Sequence, residues 1–278
     1  MSSSPKLSLS LVPEPILSNP GVSLLDLRVN KLSSRGIARL VTNTLQDRKR
    51  TVIANHNMKS MYLWYHEPKM REFYALADYT HIDGMSLVFL GKLLGVPLNR
   101  EDRATSVDFF PLLAEHAVEQ GWRLFYLGSR PGVADKGAAR LRKQYPGLQI
   151  QTHHGHFDPA KDSDENQKVL AEINDYAPDI LFVGMGMPRQ EIWILENHED
   201  LHANAVFPTG ALMDYVAGEI ATPPRWLASL YMEWLYRLVS EPTRLWRRYL
   251  LEPWFVFGQV LRHCFKFKSR DWHAQVSK

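Results

Sequence analysis

Along most of the chain, short apolar runs alternate with stretches whose apolar residues recur every three or four positions. The runs read as strands and the periodic stretches as helices. Val22–Val29 reads as an opening strand, Ile37–Leu45 as a helix, and Thr51–Ala54 as a strand ending at Asn55. Helices are expected over Met58–Tyr65 and Lys69–Ala77, then a brief strand, Thr80–Ile82, that stops at Asp83-Gly84. Helices over Met85–Leu94 and Val107–Glu119 precede a strand at Arg123–Leu127, closed by Gly128-Ser129. A helix at Val133–Tyr145, a strand at Leu148–Thr152 and a helix at Glu165–Tyr176 follow. Asp179–Val183 is the cleanest buried strand; Arg189–Glu196, Ala205–Phe207 and Ala211–Ala217 then read as helix, strand and helix. This alternation predicts an α/β fold, a Rossmann-like and mostly parallel sheet with helices on both faces. Ligands of such sheets sit beyond the carboxyl ends of the strands. That rule points at Asn55, Asp83, Gly128, His154, Gly184 and Thr209.

Past Pro223-Pro224 the alternation stops. Trp226, Leu230, Trp234 and Leu238 recur every four residues, as on one face of an amphipathic helix. Pro242 starts another helix, running to about Leu251, and Pro253 ends it. From Pro223 onward there are ten Lys or Arg against four Asp or Glu, and five of the eight tryptophans. The net charge of +3 for the whole chain hides this unevenness. A boundary near residue 221 is expected, with a core over 21–221 and a helical, basic, Trp-rich appendage over 222–278. Residues 1–20, rich in Ser and Pro, read as a disordered leader. Their apolar patch lacks a strong basic n-region and a small-residue cleavage site, so no signal peptide is expected. No apolar run approaches the roughly 18 residues of a membrane span. The single cysteine, Cys264, excludes a disulfide framework and any all-cysteine metal site. A cytoplasmic protein is expected.

Asp83 directly follows a short strand and precedes a glycine, which suits a general base at the ligand edge. From local sequence alone, a plain Asp-Gly turn is the simpler account. The segment Gly184 to Glu191 is more specific. Its two glycines would let backbone approach a ligand, Pro188 suits the start of a helix, and the helix N-terminus suits a phosphate. An ordinary strand-to-helix turn explains it as well. The third glycine of a dinucleotide fingerprint is absent, with Arg189 in its place. Gly128 has the same strand–glycine–helix setting. Arg103 with Thr105 and Asp108 could hold an anion, although solvated loop residues account for them too. The His153-His154-Gly-His156 cluster and Asp162-Ser-Asp164 invite a metal reading; the first lacks a partner at ligand spacing and the second reads as a helix start. No metal and no cofactor are expected. In the appendage, Arg244, Arg247 and Arg248 fall on one helix face, with Arg237 upstream, and suit a diphosphate or an anionic membrane surface. No nucleic-acid-binding signature accompanies them.

Several stretches together resemble the WecG/TagA/CpsF glycosyltransferase family, over about Val22 to Tyr249. They are His81-Ile-Asp-Gly-Met, Gly184-Met-Gly-Met-Pro-Arg-Gln-Glu-Ile-Trp, Ala217-Gly-Glu-Ile through Pro224-Arg-Trp, and the run from Glu233 to Tyr249. The resemblance implies an inverting transfer from a UDP-sugar to a polyprenyl-diphosphate-linked acceptor in cell-envelope or exopolysaccharide synthesis, at the inner face of the membrane. By position it makes Asp83 the candidate base, with Asn55 and Arg103 in the catalytic group. It sets Gly128, Gly184, Gly186, Pro188, Gln190 and Glu191 with the nucleotide-sugar, and Arg237, Arg244 and Arg247 with phosphates. Three positions depart from the family pattern: Ile53 replaces a threonine, Ser129 a glycine, and Ser106-Val107-Asp108 stands where a glycine precedes the acid. A nucleotide-sugar-binding subunit without turnover is the alternative that Ile53 permits. A nicotinamide-dependent oxidoreductase is the other, suggested by the sheet pattern alone. A homo-oligomer is compatible with either.

Overall fold

The computed structural model describes residues 21–221, 227 and 232–262. The leader expected over 1–20 lies outside them. The chain opens with a hairpin, β1 (Val22–Leu24) and β2 (Leu27–Val29), and continues through α1 (Ser34–Gln46) to β3 (Thr51–His56). Then come α2 (Met58–His66), α3 (Pro68–Leu76), β4 (Tyr79–Ile82), α4 (Met85–Leu93), a short 3-10 turn at Arg100–Asp102, and α5 (Ser106–Gln120). The second half runs β5 (Arg123–Gly128), α6 (Val133–Gln144), β6 (Gln149–His153), α7 (Asp164–Tyr176), β7 (Ile180–Gly184), α8 (Arg189–Asn197), β8 (Ala205–Pro208) and α9 (Leu212–Val216). Two helices, α10 (Glu233–Ser240) and α11 (Pro242–Leu250), and a third, α12 (residues 252–262), follow.

Six strands form one parallel sheet in the order β4-β3-β8-β7-β5-β6. Side chains alternate across it, as strand geometry requires. Ile53, Leu124, Tyr126, Ile180, Phe182 and Phe207 pack under α1, α5, α6 and α9. Val52, Ala54, Phe125, Leu127, Leu181 and Val183 pack under α3, α7 and α8. Both faces are apolar because both are covered, which is why these strands read as continuous apolar runs. The α/β fold expected from the alternation is the one observed.

Three details differ from the sequence expectation. Val22–Val29 is not one strand but two, folded about Leu25-Asp26, with Leu25 at φ 57. The polar Asp26 interrupts the run where the chain reverses. This hairpin covers the free edge of the sheet: Asn30 N–H donates to the Thr80 carbonyl at 2.7 Å, and Thr80 N–H to Asn30 Oδ1 at 2.8 Å. Second, Pro253 does not only follow one helix; it stands in the first turn of α12, where proline costs no hydrogen bond. Third, of the amphipathic helix expected over 226–238, Glu233–Ser240 is helical, while residues 222–226 and 228–231 lie outside the described residues.

Helix α12 is built into the core. Val256 and Val260 are buried in one cluster with Leu24 and Leu27 of the hairpin, Met61 of α2, and Leu87 and Val88 of α4. Phe255 meets the rings of Tyr62, Tyr65 and His66 at 5.5, 5.6 and 4.4 Å. Lys59 Nζ pairs with Glu252 Oε1 at 2.7 Å, with the carboxylate nearly buried. Among the described residues, no helix is long and apolar enough to cross a membrane.

Candidate active site

The register of the sheet brings the carboxyl ends of its strands level. Asn55 of β3 lies beside His81 of β4, Gly128 of β5 beside Gly184 of β7, and Val183 beside Pro208. The residues picked by the strand-end rule therefore share one edge.

Asp83 leaves β4 with its N–H bound to the His56 carbonyl at 2.9 Å. Its side chain is half-buried. Oδ2 accepts from Asn57 Nδ2 at 3.3 Å, and its main-chain carbonyl accepts from Arg103 Nε at 3.1 Å. Arg103 is fixed beside it because Ala104 N–H joins the Ile82 carbonyl at 2.8 Å, extending the edge of β4. Its guanidinium stands 3.9 Å from Asp108 Oδ2. Asp108 itself closes a capping box with Thr105, whose Oγ1 donates to Asp108 Oδ2 at 2.7 Å. Thr105 and Asp108 are thus the start of α5 rather than free anion ligands. Ser106 Oγ reaches the Thr209 carbonyl at 3.4 Å and ties that helix start to the end of β8.

Asn55 is nearly buried. Its Nδ2 donates to the Pro208 carbonyl at 2.8 Å, which fixes the amide across β3 and β8. Oδ1, though buried, meets no donor among the described residues. Such a stranded acceptor costs stability on the order of 1–3 kcal/mol. Two histidines flank it. Burial, with the nearby His81, lowers the His56 pKa to about 3. Burial lowers that of His81 to about 4, against the opposing pull of Asp83. Both are neutral near pH 7. The position of the missing threonine is answered here too: Ile53 is fully buried in the core under α1 and α5, two residues below Asn55 on the same face of β3.

The far half of the edge is a set of glycines packed against one another. A Cβ on Gly128 would lie 2.4 Å from the Gly184 carbonyl oxygen, and one on Gly184 only 2.0 Å from the Tyr126 hydroxyl. These two glycines have a packing reason, because protein fills the space a side chain would take. Gly186, at φ 83 with nothing within 4 Å of a notional Cβ, faces open space instead. The peptide between Met187 and Pro188 is cis, and Pro188 caps α8 from just outside its first helical residue. Gln190 is 1% exposed: Oε1 accepts from Gly186 N–H at 3.0 Å and Gly210 N–H at 3.2 Å, and Nε2 donates to Glu191 Oε1 at 2.7 Å. It holds the two glycine loops together from beneath. Glu191 is fully buried, Oε2 meets no donor among the described residues, and burial raises its pKa to about 7. Ser129, in a left-handed conformation at φ 61, is anchored through Oγ to Asp214 Oδ2 at 2.8 Å and to the Tyr126 hydroxyl at 3.1 Å.

The histidine cluster has separate duties. His153 Nδ1 meets the His154 carbonyl, and His156 Nδ1 meets the Ser129 carbonyl at 3.2 Å. Ser163 caps α7, with Asp164 in its first turn. Among the described residues no group of three or more His, Cys, Asp or Glu is arranged to hold a metal. Arg247 is exposed on α11 with its guanidinium 5.3 Å from the Trp246 ring centre. The backbones of Arg237 and Arg244 lie on α10 and α11, and their side chains lie outside the described residues. Sequence reasoning missed Asn57, Tyr126 and Tyr74, whose hydroxyl donates to the Asn55 carbonyl at 2.8 Å. An asparagine between strand and helix does signal a cap. It does not signal a partner on another strand.

A curated relative from Bacillus spizizenii (strain ATCC 23059 / NRRL B-14472 / W23) is 29% identical over 228 residues, covering 82% of this chain and 85% of its own. That protein is an N-acetylglucosaminyldiphosphoundecaprenol N-acetyl-beta-D-mannosaminyltransferase. A family model, glycosyl transferase WecG/TagA/CpsF, matches residues 22–270, which take in the whole sheet edge just described and the helices after it. The chain belongs to that family of glycosyltransferases.

Proposed function

We propose that this glycosyltransferase moves a sugar from a UDP-sugar to a polyprenyl-diphosphate-linked acceptor, with inversion at the anomeric carbon. The observation that carries the reading is the pairing of Asp83 with Asn55 at the level ends of β4 and β3. One is a half-buried carboxylate held through Oδ2, the other a buried amide whose Oδ1 lacks a donor. In the proposed step Asp83 takes the proton of an acceptor hydroxyl as its oxygen bonds to the anomeric carbon. The bond from that carbon to UDP breaks, and its electron pair leaves on the diphosphate. Gly186 and the start of α8 shape the donor side, with Gln190 and Glu191 acting from beneath. Arg237, Arg244 and Arg247 neutralise the departing diphosphate, a role that needs no metal. The relative's acceptor, an undecaprenyl-diphosphate-linked N-acetylglucosamine, supports the acceptor class.

A lipid-linked diphosphate stays at the bilayer, so the protein is proposed to dock at the inner face of the membrane. Exposed apolar side chains support this: Trp234, Trp246, Leu250, Trp254 and Phe257 in the last three helices, with Phe89 at 69% exposure on α4. Trp–Arg surfaces of this kind favour membrane interfaces.

A panel of UDP-sugars with a synthetic polyprenyl-diphosphate-linked N-acetylglucosamine, read by mass spectrometry, tests the activity. A mass increase of one sugar from one donor is expected, unchanged by EDTA. Asp83→Asn should keep UDP binding and lower turnover about 100-fold or more. Near-normal turnover in that variant would remove Asp83 as the base, and no product from any donor would remove the reaction.

A further inference from the structure

We infer that Asn57 is a positioning residue for Asp83, fixing which carboxylate oxygen is left to take the proton; the inference rests on the reading of Asp83 as the base. Asn57 directly follows β3 and caps α2. Its Oδ1 accepts from Lys59 N–H at 3.0 Å and Ser60 N–H at 3.2 Å. Its own N–H donates to Ser60 Oγ at 2.8 Å, closing a capping box. These bonds decide the orientation of the amide. Turned over, it would press its NH2 against two N–H donors and leave two helix donors unsatisfied. The NH2 end therefore has one direction to face, and it meets Asp83 Oδ2 at 3.3 Å.

The consequence is specific to the two oxygens of Asp83. Oδ2 is engaged, and Oδ1 has no hydrogen bond among the described residues. A neutral NH2 donor stabilises the ionised carboxylate without adding a countercharge that would have to be overcome at proton transfer. The other groups around Asp83 do not supply this. Arg103 Nε is bound to its main-chain carbonyl, and His56 holds its N–H through a carbonyl. His81 is neutral near pH 7, and Asp108 serves the cap of α5. Tyr74, also close to Asp83, donates its hydroxyl to Asn55 and is pushed well above the ordinary tyrosine range by burial and Glu191. The 3.3 Å separation is long for such a bond, as catalytic contacts commonly are before substrate tightens them.

Two variants separate positioning from capping. Serine caps a helix about as well as asparagine but has no NH2 to offer. Asn57→Ser should melt within about 3 °C of wild type and lower kcat about tenfold with little change in acceptor KM, the scale of one lost hydrogen bond. Asn57→Asp keeps the capping oxygen and sets a like charge against Asp83. The acidic limb of its kcat/KM profile should move up by about one pH unit. Both are assayed with the donor found in the UDP-sugar panel, beside Asp83→Asn. Wild-type kcat in Asn57→Ser with an unmoved limb in Asn57→Asp, while Asp83→Asn is inactive, would reduce Asn57 to a cap and leave the base in place. Turnover in Asp83→Asn would instead remove the base, and this inference with it.

Discussion

Burial lifts the Glu191 carboxyl from 4.5 to about 7, so the folded protein keeps a proton there that the unfolded chain has lost. Between those two values the folded state binds more protons, and stability falls as pH rises through the window. His56 and His81 act the other way. Their values fall from 6.5 to about 3 and about 4, so stability rises with pH across that lower range. Glu191→Gln removes the first contribution and leaves the second. Urea titrations at pH 5 and pH 8 should show the variant gaining on wild type by on the order of 2 kcal/mol. A difference independent of pH would mean that Glu191 ionises as an exposed carboxylate does. Asp83 and Gly128 are legible in sequence as strand-end residues, Asp83 after the brief strand Thr80–Ile82 and Gly128 after Arg123–Leu127. Asn57 and Tyr126 are not. The contacts that give them meaning, to Asp83 and to the Gly210 carbonyl, span 26 and 84 residues. Gly184 is legible as a glycine that something approaches closely; only the fold shows that the approaching group is Tyr126.

Among the elements, the strands and helices of the sheet follow from periodicity because both faces are covered and every strand is short. The hairpin is harder to read, since Ser23, Asp26 and Arg28 are scattered through the run and only Asp26 stands at the reversal, with no Gly or Pro to mark it. Helix α12 escapes for a different reason: Pro253 reads equally well as a stop and as a first-turn residue. The proposed docking elements, α10 and α11, give a prediction that separates binding from chemistry. Replacing Arg237, Arg244 and Arg247 by Gln removes charge and leaves the apolar face, including exposed Trp234 and Trp246. Transfer to the lipid-linked acceptor should be abolished, while sedimentation with anionic liposomes weakens only in part, at about 1 kcal/mol for each Arg near the surface. Retained transfer would limit these arginines to attachment.

For the whole molecule, the question is what the appendage contributes to the core. A chain ended near Ile220 keeps both covered faces of the sheet but loses Val256 and Val260 from the cluster that seats the hairpin, α2 and α4. Each buried valine contributes roughly 1.5 kcal/mol or more, so the shortened protein should stay folded and melt roughly 10 °C lower. It should also lose liposome binding and transfer. An unchanged melting temperature would mean that the core closes without α12. Lys59 belongs to both parts at once: its N–H is held by the Asn57 cap, and its ammonium pairs with Glu252 of α12. Coupling of this kind is reciprocal. If the seated helix favours the ordered Asn57–Asp83 arrangement, then an acceptor that engages Asp83 must favour the seated helix by the same free energy. Amide hydrogens of residues 252–262 should therefore exchange with deuterium more slowly once the lipid-linked acceptor is bound. Lys59→Met should abolish that slowing, although the substitution lies outside the exchanging segment. Equal protection in both proteins would show that the two ends of Lys59 act independently.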